Sequence, residues 1–507
     1  MNLELFSDKR QKPGWHYHLI VAIPLGILYS ATMAPGLTWA NHGSDGGDLI
    51  SAAATGGIAH PSGYPTYLAL ARKFQLIPLG SLAFRTNVLS AVFAILTAIL
   101  IYELTDKWLS KEVLYKKIGG IIAGLAFGIS PLFWGQAVIT EVYTVNAFFI
   151  AFALWLLPID FQEQGKWKVP FSGIVMGIGL GNHLTILLVL PAILLLIGAS
   201  PQIDPKNRTN PGFMHYQDVN WISLSRYSIG LFMGLSICLS MYLGVKSNSP
   251  VRWGNPKKWE SYWWLVSGQL YKSYPFGLPG QLIISRLQSW AALILNQYGL
   301  WGLIVCLLGL FYGRPKLKSL YIVTIWIAVV YSVFAIGYSS IDSQLYLIPV
   351  SIIFAIWFGW GVSELFLQLS KHKKHAWITT ILLAALLVYN AFRSFPKVDA
   401  SKDHRAEEFG REVMSSAPEN ALIFTDNDQE SFSLWYFHFA LRDRQDLAIF
   451  VEGLLPFAWY RETLRATYPK LNIPEYVITD WPTMLGVLNP NPICEVEVNA
   501  IDVLSCR

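Results

Sequence analysis

The sequence predicts an α-helical polytopic membrane protein with about eleven transmembrane helices and a small C-terminal α/β domain. Three observations predict it. Hydrophobic residues make up 53% of the 507 and charged ones only 14%, against roughly a quarter charged in soluble globular chains. Apolar stretches recur at about the 20-residue length that lets a helix cross a bilayer with every peptide group bonded internally. Residues 397–507 lose that pattern and alternate short apolar runs with polar turns.

The apolar stretches lie near 19–39, 86–104, 118–134, 145–160, 169–181, 184–199, 222–245, 292–312, 319–336, 345–368 and 376–394. The first follows Lys9, Arg10 and Lys12 and reads as an uncleaved signal anchor. Gly179, Gly181 and Asn182 interrupt the pair 169–181 and 184–199, and counting two spans there keeps the loop charges in register. Lys107, Lys111, Lys116, Lys117, Lys166, Lys168, Lys206, Arg208, Arg314, Lys316, Lys318, Lys371, Lys373 and Lys374 then share one face with the N-terminal tail. The positive-inside rule makes that face, and the N-terminus, cytoplasmic. Asn207-Arg-Thr209 matches a glycosylation acceptor, but a cytoplasmic position argues against its use.

The opposite, extracytoplasmic face receives the loop after the first span, a long aromatic-rich loop, the short loop Tyr338–Tyr346 and residues 397–507. Its cations (Arg72, Lys73, Arg85, Lys246, Arg252, Lys257, Lys258, Lys272 and Arg286) lie in long loops, which respond weakly to the charge rule. They stand where an anionic substrate would need them. The net charge of +5 is modest, and no basic cluster is dense enough for a nucleic-acid surface.

In the C-terminal segment, Ala421–Asp426 and Leu447–Glu452 read as strands, Ser431–Leu441 and Phe457–Tyr468 as helices, and Glu495–Leu504 as an edge hairpin. Cys494 and Cys506 are placed to pair if that segment lies outside the cytoplasm. Cys238 and Cys306 sit in apolar runs as buried hydrophobes. No CxxC or His/Cys metal spacing is present.

The chemistry concentrates in the first outer loop, Asp45-Gly-Gly-Asp48 followed by His60-Pro-Ser-Gly-Tyr64-Pro. Two carboxylates three residues apart share one side of a helical turn. Shielded from water, such a carboxylate gains proton affinity and can act as a general base. The bland alternative is that Asp45 caps the helix starting near Asp48.

These strings resemble the signature of domain-of-unknown-function family 2723, which includes transmembrane protein O-mannosyltransferases and belongs to the GT-C superfamily of lipid-phosphate-sugar glycosyltransferases. The similarity continues in Trp134–Asn146, in Gly181-Asn182-His183, in Arg252-Trp253-Gly-Asn255-Pro with Ser267–Tyr271, and in Asp426-Asn-Asp428 with Leu434-Trp-Tyr436. It covers nearly the whole chain. This sequence has Asp48 where the family pattern has Glu, Ser62 where it has Pro, and Asn255 where it has Asp.

The resemblance implies a GT-C-like fold over residues 1–396. It also implies transfer of a sugar from a polyprenyl-phosphate donor to an acceptor hydroxyl on protein, glycan or lipid, with inversion. Asp45 is then the expected base, and Asp48 orients it or the acceptor. Arg252 leads as the grip on the departing phosphate, because a guanidinium offers two parallel donors; Lys257, Lys258 and His60 follow. Glu141 and His183 fall at outer helix ends, where ionisable groups are costly unless paired or functional. With Tyr64, Tyr143, Trp253 and Asp342 they complete the candidate substrate contacts. The resemblance implies no certain cofactor and leaves a divalent ion open; such an ion, used in some branches of the superfamily, would have only Asp45 and Asp48 as clear oxygen ligands. A transporter or flippase of a lipid-linked or anionic solute is the competing reading. It expects internal repeats and mid-bilayer charges, whereas here no repeat is evident and the acids gather at one face. A pure interaction protein would leave Asp45, Asp48 and His60 without a task.

Overall fold

The computed structural model describes residues 15–110, 115–157, 167–198, 219–244, 248–369, 373–498 and 503–507. Lys9, Arg10, Lys12, Lys111, Lys166, Lys206, Asn207, Arg208, Lys246 and Lys371 lie outside the described residues, as do the ends of three predicted stretches beyond 157, 198 and 244.

The chain is a multi-pass membrane protein. After α1 (Trp15–Thr32) come two short outer helices, α2 (Gly46–Thr55) and α3 (Pro65–Gln75), then the long α4 (Leu82–Trp108). α5 (Lys116–Gly128) and α6 (Pro131–Ala137) are bent by 68° at their junction, where Pro131 opens the second helix. α7 (Tyr143–Leu156), α8 (Lys168–Leu180), α9 (Leu190–Gly198), α10 (Trp221–Leu235) and α11 (Leu239–Leu243) follow, then the short α12 (Trp259–Val266). The bundle closes with α13 (Ile283–Tyr312), α14 (Ser319–Gly337), α15 (Ile348–Leu369) and α16 (Lys373–Val398).

Helices therefore stand at each predicted apolar stretch. The count of eleven spans does not follow from length and composition, however. Among the described residues, 6 helices are long and apolar enough to cross, or up to 7 if the bent α5–α6 pair is one span. Tyr143–Leu156, Lys168–Leu180 and Leu184–Gly198 are apolar but shorter. The Gly181-Asn182-His183 turn separates two apolar helices, each short of a full span.

Close packing in the bundle uses small residues. A Cβ on Gly173 or Gly177 of α8 would strike the α10 backbone at Tyr227 and Leu231, and one on Gly230 or Gly234 of α10 would strike Pro170 and Ile174. The reciprocal Gly-x3-Gly spacing lets the two backbones touch, the usual way helices gain dispersion energy in lipid.

One end of the bundle is basic. Lys107 Nζ donates to the Trp155 and Leu157 carbonyl oxygens. Ser110 N donates to Arg314 O at 2.9 Å and Lys316 N to Trp108 O at 2.7 Å. Lys116 pairs with Asp106 at 3.7 Å and Arg314 with Glu364 at 3.0 Å. Three of the predicted cationic loops thus meet on one face.

The opposite end carries α2, α3, the 248–282 segment and the C-terminal domain. That domain has α17 (Arg405–Ser416), α18 (Asp428–Trp435) with a π-turn over Tyr436–Ala440, α19 (Ala458–Thr467) and α20 (Trp481–Leu488). Its four-stranded sheet has the order β2-β1-β3-β4. β1 (Leu422–Thr425) runs parallel to β2 (Ala448–Val451) and β3 (Ile493–Val496), and β4 (Leu504–Cys506) is antiparallel to β3. Cys494 and Cys506, opposite each other in that last pair, form a disulfide.

The domain is sewn to the first outer loop. Asp403 Oδ2 accepts from Thr38 Oγ1 at 2.5 Å, Ala40 N at 2.8 Å and Trp39 N at 3.1 Å, and Trp39 Nε1 donates to Ser433 Oγ at 3.1 Å. A Cβ on Gly47 of α2 would fall on the Phe432 carbonyl oxygen, so only glycine allows α18 to lie against α2.

Candidate active site

A cavity of about 1690 Å³ lies between the outer loops, the helix bundle and α18. Its walls hold Asp45, His60, Tyr64, Glu141, Tyr143, His183 and Asp342 from the sequence analysis.

Asp45 ends a short 3-10 segment, Ala40–Asp45, in which Asn41 (φ 53°) and His42 (φ 69°) are left-handed. It occupies the N-cap position of α2, yet its side chain makes no capping hydrogen bond. The carboxylate instead stands 3.5 Å from His60 Nε2 and keeps 33% of its surface. Asp48, one turn on, keeps none. Its Oδ2 accepts from His60 Nδ1 at 2.7 Å and His60 N at 2.9 Å, and its Oδ1 accepts from Trp253 Nε1 at 3.0 Å. Asp48 does not line the cavity; it is fully engaged behind His60, so it orients the imidazole and not an acceptor. The imidazole bridges two carboxylates, one dry and one open.

Burial lifts the Asp45 carboxyl to about 6; His60 opposes that rise, and Asp428, Asp48 and Asp342 reinforce it. Burial alone would pull the His60 imidazole down, but Asp45 and the hydrogen-bonded Asp48 overcome it and hold His60 up at about 9. At neutral pH the site contains an imidazolium beside a carboxylate poised near neutrality.

Glu141 is buried, which pushes its carboxyl well above the usual range, and Val142 N donates to it at 3.2 Å. Burial pulls His183 down to about 4, leaving it neutral. Its Nδ1 accepts from Thr185 N at 3.2 Å, which puts the ring proton on Nε2. The break between α8 and the following Leu184–Leu188 turn places His183 near Tyr143 and Tyr346, with ring centroids 5.7 and 5.8 Å away. Tyr64 holds a left-handed φ of 46° ahead of Pro65, and its ring lies 4.9 Å from His60. Ser340 Oγ donates to Asp342 Oδ1 at 2.7 Å.

Two expected contacts lie elsewhere. Arg252 does not line the cavity: it is buried, its backbone forms a parallel bridge with Ile58, and its nearest charged influence is Glu462 of the C-terminal domain. Trp253 is also off the wall, spent on Asp48. Lys257 pairs with Glu462 at 2.7 Å. The cations on the wall are Lys272, Arg286 and Lys397. Arg286 donates to Ser343 Oγ at 2.5 Å and Ser340 O at 2.8 Å. Among the described residues no carboxylate pairs with Lys272 or Lys397. Among those residues, too, no three His, Cys, Asp or Glu side chains group to hold a metal ion.

Asn41 and Lys397, also on the wall, carried no signal in the sequence; Gln136, Tyr271 and Asp428 lie in the motif-like strings and Tyr346 ends the short outer loop, but none of them was chosen as a site residue.

Two family models match the chain in order. The protein O-mannosyl-transferase TMEM260 N-terminal domain covers residues 45–205, and the TMEM260-associated domain 2 covers residues 406–477. The chain is 23% identical over 513 residues to a protein O-mannosyl-transferase tmem260 of Dictyostelium discoideum, covering 90% of this chain and 59% of that one. It is 24% identical over 479 residues to protein O-mannosyl-transferase TMEM260 of Mus musculus, covering 88% and 64%. It thus spans about three fifths of the length of the curated relatives it matches. In fold it is similar to ArnT from Cupriavidus metallidurans. The undecaprenyl-phosphate-bound crystal structure gives a TM-score of 0.60 at 13% identity over 96% of this chain and 93% of that one. The apo structure gives 0.57 at 12% over 95% and 93%. The chain therefore matches, in order, the models of the TMEM260 N-terminal domain and of TMEM260-associated domain 2, and it shares the fold of ArnT.

Proposed function

We propose that the chain is a membrane glycosyltransferase that moves a sugar, mannose first among candidates, from a polyprenyl-phosphate donor to a protein hydroxyl, with inversion, on the extracytoplasmic side. The observation that carries the reading is that Asp45, the one acid of the Asp45–His60–Asp48 bridge open to the cavity, shares that cavity with Lys272, Arg286 and Lys397. Asp45 takes the proton of the acceptor hydroxyl as the oxygen attacks the anomeric carbon. The glycosidic bond to the lipid phosphate breaks, and the phosphate leaves with its electron pair. The wall cations meet charge growing on that phosphate, where preorganised donors lower a barrier most. Apolar wall residues such as Leu187, Leu188 and Leu293 suit a polyprenyl chain. The basic end of the bundle supports a cytoplasmic face opposite the cavity. The names of the curated relatives support mannose and a protein acceptor, and the lipid bound to ArnT supports the donor class.

The test is transfer by purified protein from undecaprenyl phosphate carrying mannose, glucose or galactose to a Ser/Thr peptide. Asp45→Asn lowers the rate by roughly 10²- to 10⁴-fold, the span of a lost general base, while the melting temperature stays put. Transfer undiminished in Asp45→Asn, or no turnover by wild type with any polyprenyl-phosphate sugar, overturns the reading.

A further inference from the structure

We propose that Asp428 is a second carboxylate of the transfer site, delivered by the C-terminal domain, which accepts hydrogen bonds from hydroxyls of the sugar being moved and so sets which sugar is used. The proposal rests on the glycosyl-transfer reading of the cavity.

Asp428, Phe432 and Trp435 recur at helical spacing and share one face of α18. That face is turned to the bridge around His60. The Phe432 ring lies stacked 6.4 Å from the His60 imidazole with 11° between planes, and the Trp435 ring lies 6.2 Å from that of Trp253, the donor to Asp48. Asp428 itself is on the cavity wall. The docking that puts it there depends on Gly47, whose missing side chain admits the α18 backbone at Phe432.

Two polar neighbours of Asp428, Asn427 and Glu430, are engaged by the fold, and Gln429 joins Asp428 on the cavity wall. Asn427 Oδ1 accepts from Glu430 N at 3.1 Å and caps α18. The Glu430 carboxylate accepts from Asp426 N at 3.1 Å and Val498 N at 3.2 Å. Among the described residues the Asp428 carboxylate takes no hydrogen bond and no ion pair. An acid in the first turn suits the helix dipole, which accounts for an acid there but not for its facing a cavity with its carboxylate unbonded. A carboxylate repels phosphate and binds hydroxyls, so Asp428 belongs to the sugar end of the cavity and not to the lipid-phosphate end. Burial raises the Asp428 carboxyl while His60 opposes the rise, and Asp428 in turn raises Asp45. The charged groups facing Asp45 are Asp48 from α2, His60 from the loop after it, Glu141 from the turn before α7, Asp428 from α18 and Asp342 from the short outer loop.

The experiment compares full-length wild type, Asp428→Asn and Asp428→Glu on undecaprenyl-phosphate mannose and its monodeoxy analogues. For wild type, kcat/KM falls roughly 10-fold on one deoxy analogue, the size of a lost hydrogen bond to a charged group. In Asp428→Asn that same deletion costs nothing further, and the acid limb of the pH–rate profile moves down by about half a pH unit as one like charge leaves Asp45. Asp428→Glu restores part of the discrimination. Equal deoxy penalties in wild type and Asp428→Asn, with an unmoved acid limb, overturn the proposal. If Asp45→Asn is inactive in the same preparation, that result leaves the transfer reading standing; if Asp45→Asn is fully active, the transfer reading falls first.

Discussion

The two ends of the helix bundle solve the same problem, charge near a membrane, in opposite ways. At the basic end Lys107 is tied to two backbone carbonyls, and Lys116 and Arg314 each have a carboxylate. Short loops bring 108–110 against 314–316 by main-chain bonds. At the cavity end the loops are long, Asn41, His42 and Tyr64 hold left-handed backbone, and Asp45, Asp428, Lys272 and Lys397 face a shared space. Left-handed non-glycine residues cost about 1–3 kcal/mol each and persist where surrounding structure over-determines them. The contrast is between charge tied down in packing and charge left facing a cavity beside left-handed backbone.

The sharpest way to break the comparison is Asp48→Ala. It strips the dry partner from His60 and Trp253 and leaves an imidazolium buried beside one distant carboxylate. The loss should be roughly 3–5 kcal/mol, as for other broken buried pairs, read by denaturant or thermal melting in detergent, with transfer lost as well. A shift below 1 kcal/mol would mean that Asp48 does not hold the bridge together. Gly47→Ala is milder. Its methyl forces α18 away from α2 at an overpacking cost of about 1–3 kcal/mol. Transfer should fall although no polar group of the site has changed; full activity would show that the C-terminal domain need not sit where it does. Lys107→Ala at the basic end is the smallest change: about 1 kcal/mol of stability, the net worth of ordinary hydrogen bonds, and unchanged kcat/KM. A collapse of transfer there would erase the distinction between the two ends.

Much of this division was legible in the residues. The hydropathy pattern located helices at every predicted stretch, and the loops carrying Lys107, Lys116 and Arg314 meet at one end of the bundle. The strands at 422–425 and 448–451 followed from short apolar runs, whereas the Cys494–Cys506 pairing was left open by the residues and is fixed by the β3–β4 register. What the residues withheld is three-dimensional. Asp45 and Asp48 have the same chemistry three positions apart; only packing against Trp253, 205 residues away, makes one dry and leaves the other open. Arg252 looked suited to a phosphate because its charge was legible and its direction was not. Asp428 lies nearly 400 positions from Asp45, and no local pattern announces that α18 docks on α2. The count of eleven goes further than helix length alone, because Tyr143–Leu156, Lys168–Leu180 and Leu184–Gly198 are apolar but short.

The pH dependence of kcat/KM for mannosyl transfer tests the central claim most directly. Asp45 must be ionised to take a proton, so the rate should climb as pH rises through about 6. His60 must stay cationic to hold that carboxylate in place, so the rate should decline as pH rises past about 9. A bell with its plateau between those values is the expected result. A rate that is flat from pH 5 to 8, or that falls as pH is raised through 6, would contradict a carboxylate base beside a charged imidazole.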